Sequence, residues 1–135
     1  MEIDKELERK IQSSPLFATE SDKSSDITLL ISSQSIGSGD EMLGKRLMYS
    51  FLYSLTEMPP RIKSIILLNE GVKLAFMGAK TIEPLSVLLD AHVAVFVCEE
   101  SIHHYGASLK LTVGRAVNMY TITNMIITAQ RVITV

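Results

Sequence analysis

Short apolar runs alternate along this chain with longer segments whose apolar residues recur at helical spacing, and that alternation predicts its elements. Ile27-Thr28-Leu29-Leu30-Ile31-Ser32 reads as a strand, and Ser33 to Gly39 as a turn-rich loop. Asp40 is a good N-cap for a helix running to about Glu57, with Leu43, Leu47, Phe51 and Leu55 on one face. Pro59-Pro60 closes that helix. Ser64 to Asn69 is a second strand, a continuous apolar run of the kind that a parallel sheet buries on both faces. Thr81 to Leu89 predicts a second helix, with Pro84 in its first turn, where proline is tolerated. His92 to Cys98 is a third strand, Thr121 to Ala129 a last helix, and Arg131 to Val135 a short final strand. Strand and helix in alternation imply an α/β protein, a three-layer α/β/α sandwich with a mainly parallel sheet and right-handed crossovers.

The first 26 residues follow another pattern. Met1 to Lys10 mixes acids and bases, with Ile3, Leu7 and Ile11 at helical spacing; Ser13-Ser14-Pro15 ends any helix, and Thr19 to Asp26 is polar. The expectation is a flexible helix and tether over 1–26 and one domain over 27–135. A chain of 135 residues suits a single core. With 47% hydrophobic and 21% charged residues its composition is globular. A net charge of -2 leaves no overall basic balance for nucleic acid. The single cysteine cannot form an internal disulfide, and the first thirty residues lack a positive segment followed by an apolar one, so the expected compartment is a reducing cytoplasm. No apolar stretch approaches the ~18 residues of a membrane span, and no membrane partner is expected.

Candidate chemistry gathers where strands end. Cys98 closes an apolar run and is followed by Glu99, Glu100, Ser101, Ile102, His103, His104 and Tyr105. In open α/β sheets ligands collect beyond the carboxyl ends of the strands, which makes Cys98 a candidate nucleophile or sulfur carrier. It reads equally as a small apolar residue closing a strand. A helix starting just after Cys98 would favour a thiolate, Glu99 and Glu100 would oppose one, and His103 or His104 could act as general acid or base. A carrier thiol would also have to be at least partly accessible, near the Asn69 and Gly37–Gly39 loops. A zinc site is not expected, because one cysteine and two adjacent histidines lack a fourth ligand at a sensible spacing. Gly39-x4-Gly44-Lys45 nearly fits a phosphate-binding loop. Arg46 stands where the magnesium-binding hydroxyl belongs, and Asp40 and Glu41 put negative charge where phosphate would lie, so a glycine-permitted turn is the better reading. Asn69 and Gly71 suit a tight exit from the second strand, and Asn118 could cap the last helix. No cofactor is expected.

Taken as a set, Gly37-Ser38-Gly39-Asp40-Glu41-Met42-Leu43-Gly44-Lys45, Phe51 to Thr56, Asn69-Glu70-Gly71-Val72-Lys73-Leu74, Cys98 to Gly106, and Val113-Gly114 with Asn118-Met119-Tyr120 resemble the DsrE-like sulfurtransferases. The likeness is greatest to the carboxy-terminal domain of the YedF-type selenium-metabolism proteins, and it covers about residues 27 to 135. It implies a Rossmann-like topology, a homo-oligomer, and a persulfide-handling cysteine at Cys98. His103 and His104 are candidates from their place after Cys98, and the candidate rim of the site is Gly37, Gly39, Asn69, Gly71, Ser101 and Asn118. YedF-like proteins resemble one another in a Cys-Gly-Thr-Cys-Leu-Asp-Tyr-Tyr-Gly segment. Here Ser101 replaces the second cysteine, and Glu99-Glu100 replace Gly-Thr. A resolving-thiol cycle within one subunit is thereby lost, whereas a one-cysteine carrier survives. The usual amino-terminal TusA-like domain has no counterpart in residues 1–26, so the resemblance implies a TusA-like sulfur-carrier partner in trans.

Two functions compete on these residues: a cytoplasmic sulfur-relay protein carrying sulfane sulfur on Cys98, in sulfur or selenium metabolism, and a degenerate subunit acting in assembly or partner binding. A small nucleotide-binding domain, resting on the glycine loop, ranks below both. Seven methionines supply adaptable apolar surface suited to an interface. Removing residues 1–24 should leave the melting temperature nearly unchanged, because the segment offers few core residues. A drop of more than about 5 °C would show that it docks on the domain.

Overall fold

The sheet is built outward from its first strand. The computed structural model describes residues 26–58, 61–106 and 110–135. The expected amino-terminal helix and tether, and the Pro59-Pro60 stop, lie outside the described residues. Strands β1 (Ile27–Ile31), β2 (Ile62–Leu67), β3 (Ala94–Cys98), β4 (Arg115–Val117) and β5 (Arg131–Thr134) form one sheet in the order β4-β3-β2-β1-β5. Every neighbouring pair is parallel. Four α-helices are described: α1 (Glu41–Thr56), α2 (Ile82–Asp90), α3 (Glu99–Tyr105) and α4 (Met119–Thr128), with a 3-10 helix over Asn69–Ala75. Among the described residues no helix is long and apolar enough to cross a membrane.

Apolar runs without alternation become strands covered on both faces. Leu29 and Ile31, Ile65 and Leu67, and Val95 and Val97 lie side by side in register and are buried. That row faces the layer of α1 and α2, where Phe51, Leu55 and Leu88 close on Leu29 and Val93. The opposite row is Thr28, Ser64, Ala94 and Phe96, and Met125 and Thr128 of α4 lie over it. Right-handed crossovers give this arrangement: the connections leading from β1 to β4 run in one direction, and the return from β4 to β5 lies on the other face. Each isoleucine or leucine fully removed from water contributes about 1.5–3 kcal/mol, so the central three strands supply most of the driving force. The buried hydroxyls of Thr28 and Ser64 satisfy each other across a 3.1 Å hydrogen bond, which removes the cost of burying either alone.

Helix α1 follows from its ends. Asp40 Oδ1 accepts from the amides of Met42 and Leu43 at 2.9 and 3.3 Å. Gly37 and Gly39 before it have φ of 80° and 126°, which glycine alone adopts cheaply. The loop is thus the glycine-permitted turn expected of it. The buried face of α1, however, is Gly44, Met48 and Leu52, one position on from the expected stripe. Leu43 and Leu47 are exposed, and Phe51 and Leu55 half-buried. The reason is packing: Gly44 lies against the loop leaving β1, where a Cβ would stand 2.9 Å from Ser35 Cβ, so the helix rolls to bring its smallest residue inward.

Other boundaries shift for local reasons. β3 begins at Ala94, because His92 has a left-handed φ of 73° in the turn after α2. β2 ends at Leu67, because Asn69 takes a φ of 52° and opens the 3-10 helix. The last helix starts at Met119, with Asn118 Oδ1 accepting from the Thr121 amide at 2.9 Å. β4 carries no apolar run, and its three residues pair with Phe96, Val97 and Cys98.

Gly71 marks the tightest approach in the fold. A Cβ there would fall on the carbonyl oxygen of Ile31. Gly71→Ala should therefore cost about 1–3 kcal/mol, read as a lower urea midpoint. An unchanged midpoint would show that the turn can lift off β1.

Candidate functional site

A parallel sheet brings all its strand exits to one edge, and the candidate residues are sorted along that edge by the loops that leave it. Cys98 is the last residue of β3 and the N-cap residue of α3. Alternation along the strand turns its side chain to the side of Phe96, toward α4. It lies at the base of a shallow open groove of about 400 Å³, walled by Leu68, Asn69, Ser101, His104, Tyr105 and Met119 and edged by Glu100.

Asn69 fixes one wall. Its left-handed backbone is tolerated because a short polar side chain can hydrogen-bond nearby. The Asn69 amide donates to Ser101 Oγ at 2.8 Å, and the Tyr105 hydroxyl donates to Asn69 Oδ1 at 2.7 Å. Lys73 Nζ stands 4.8 Å from the centre of the Tyr105 ring, a cation–π contact. The His104 ring meets Tyr105 edge-on at 4.6 Å. These contacts tie the 3-10 helix to α3, and Ser101 closes the groove by its hydrogen bond to the Asn69 amide.

The structure brings Cys98, Asn69, Ser101 and His104 together. His103 falls elsewhere. One residue along a helix is a rotation of about 100°, and His103 lines an adjoining recess with Glu99, Ala116 and Asn118. Asn118 is occupied as the cap of α4. Gly37 and Gly39 do not line the groove, and Gly71 is buried beneath the turn rather than on a rim. The expected accessibility of the thiol is corrected: Cys98 is 2% exposed. Leu68 and the first turn of α4 at Met119 flank the sulfur, because β3 is covered on both faces to its last residue. Among the described residues no cluster of three or more metal-binding side chains occurs.

Tyr105 and Lys73 are groove-forming residues whose roles the sequence concealed. Lys73 lies four residues after Asn69, and that spacing alone does not place its ammonium on an aromatic ring of another element.

Comparisons with known proteins bear on the fold. No protein-family model matches the chain, and no curated protein matches it. Among solved structures, the YchN protein from E. coli is similar over 80% of this chain and 97% of its own, with 15% identity and a TM-score of 0.53. MTH1491 from Methanobacterium thermoautotrophicum, a protein of unknown function, is similar over 81% of this chain and 97% of its own, with 13% identity and a TM-score of 0.59. The chain is thus an α/β protein with a five-stranded all-parallel sheet. Its architecture is the DsrE-like fold.

Native Cys98 should react with iodoacetamide about a hundredfold more slowly than in urea, since reagent reaches it only on local opening. Met119→Ala, which trims one wall, should raise the native rate severalfold. Equal rates in buffer and urea would show a thiol already open to solvent.

Proposed function

We propose that the protein is a DsrE-type sulfur-relay protein of the cytoplasm in which Cys98 carries sulfane sulfur. The observation that supports this reading is the position of the only thiol, at the carboxyl edge of the parallel sheet and at the base of a groove lined by Asn69, Ser101 and His104. The step needs no cofactor. The Cys98 thiolate attacks the outer sulfur of a donor persulfide, R–S–SH; the new bond is Cys98 Sγ–S, the donor S–S bond breaks, and the donor leaves as R–S⁻. An acceptor thiolate then attacks the outer sulfur of the Cys98 persulfide, and Cys98 leaves as the thiolate. No net oxidation occurs in either transfer. His104, on the groove wall, is the group suited to hold or supply the proton, in preference to His103. Burial of the sulfur makes transfer dependent on opening, which a docked partner such as a TusA-like carrier would supply, whether the acceptor chemistry belongs to sulfur or selenium metabolism.

A second reading rests on the same burial. A thiol at 2% exposure, beside Glu99 and Glu100, together with Met42, Tyr120 and Ile127 exposed at 73%, 83% and 74%, fits a subunit that assembles or binds partners without transferring sulfur. Apolar surface of this kind suits association with further copies of the chain.

The mass of the intact protein after incubation with a small sulfane-sulfur donor separates the two. The carrier gains the mass of one sulfur atom, reversibly with thiol, and Cys98→Ser gains none. A wild-type protein that stays unmodified while it elutes as an oligomer in light scattering would establish the second reading.

A further inference from the structure

The basic residues left over from the near-miss phosphate loop come together in a place of their own. Lys45 and Arg46 of α1, Lys73 of the 3-10 helix and Lys80 before α2 line one groove of about 680 Å³, within the ~300–1,000 Å³ usual for small-molecule sites. Among the described residues no carboxylate lines this groove, and none pairs with these four cations. On a chain of net charge -2 this is a local concentration of like charge. The four side chains repel one another, and an anion seated among them would relieve that repulsion.

Its location is also that of a ligand site. The groove is bounded by Gln34, in the loop leaving β1, and by Lys73 and Leu74, after β2. It thus lies outside the carboxyl ends of β1 and β2, the edge at which open α/β sheets gather ligands. The remaining lining adds an organic component: Met42 and Leu74 are apolar, and the half-buried Tyr49, its ring 6.1 Å from that of Tyr53, offers a flat surface.

We propose that this groove is a binding site for a small phosphorylated organic anion, its phosphates held by Lys45, Arg46, Lys73 and Lys80 and its body lying against Tyr49 and Met42. Arg46 supplies a planar fork matched to phosphate oxygens, and the lysines supply point charges. The mode differs from a phosphate-binding loop: side chains rather than backbone amides meet the anion, and Gly37 and Gly39 take no part. The site stands apart from Cys98 and does not depend on how that residue is read. Lys73 alone reaches both, through its contact with Tyr105, so the test leaves it intact.

Calorimetric titration of the full chain at low salt, with ATP, inorganic pyrophosphate and adenosine as probes, decides the proposal. ATP should bind with a Kd between about 10 and 500 µM, about threefold or more tighter than pyrophosphate and tenfold or more tighter than adenosine. Arg46→Ala combined with Lys80→Ala should weaken ATP about tenfold or more. Both positions are exposed, and an unchanged melting temperature confirms folding. Cys98→Ser should bind as the wild type does, and added salt should weaken binding. Four outcomes would overturn the proposal: no binding of either phosphate at about 5 mM, equal binding by the double variant, adenosine as tight as ATP, or pyrophosphate as tight as ATP. A single-stranded RNA binding about a hundredfold tighter than ATP would also overturn it, by making the groove a polymer site.

Discussion

The contact on which both edge grooves depend is the seating of Gly71 on the backbone that leaves β1. The Leu68 amide donates to the Ile31 carbonyl at 3.0 Å, Asn69 turns left-handed, and Gly71 then lies against that same carbonyl with no room for a side chain. This clamps the exit of β2 onto the exit of β1. Asn69 is thereby aimed at Ser101 and Tyr105 on one side, and Lys73 is carried up between Tyr105 and the basic groove on the other. A turn raised even slightly by a methyl group would move both grooves, because close-packed interiors transmit small shifts rather than absorbing them.

The cysteine groove balances opposed demands. β3 must be covered to its end to keep its apolar run from water, and that covering buries the thiol. Glu99 and Glu100 follow at once and face solvent, and they add negative charge next to the sulfur. Ser101 ties α3 to the 3-10 helix through the Asn69 amide, so its hydroxyl has a structural role. The arrangement leaves the thiol closed off from solvent at the base of its groove.

Coverage of the sheet is uneven. On the α4 side Leu30, Ala94 and Phe96 remain half-buried around a fully buried Ile66, and on the α1 and α2 side Ile27 and Ile62 are half-buried beside a cavity of about 430 Å³. A ten-residue helix is about 15 Å long and cannot shield a five-stranded sheet alone. Exposed Met42, Met58, Met77 and Met119 add adaptable apolar surface around the domain.

Local pattern determined the elements and their order. The runs at 27–32, 64–69 and 92–98 are strands to within a few residues, since a segment buried on both faces must be apolar throughout. Asp40 and Asn118 announced their helices, because capping depends only on a side chain and amides two or three residues away. β4 stayed hidden: three residues at the sheet edge, one of them arginine, need no apolar signature, and pairing with β3 makes them a strand. The buried stripe of α1 lies one residue on from the one its apolar spacing predicts, because the roll of a helix is set by what it touches, here Ser35 against Gly44. The division of the candidate site was likewise tertiary. Sequence placed His103 and His104 together beside Cys98, but helical rotation sends them to different recesses. It left Lys45, Arg46, Lys73 and Lys80 scattered over 36 positions, and only the parallel alignment of β1 and β2, which brings their exits to one edge, gathers those charges into a single groove.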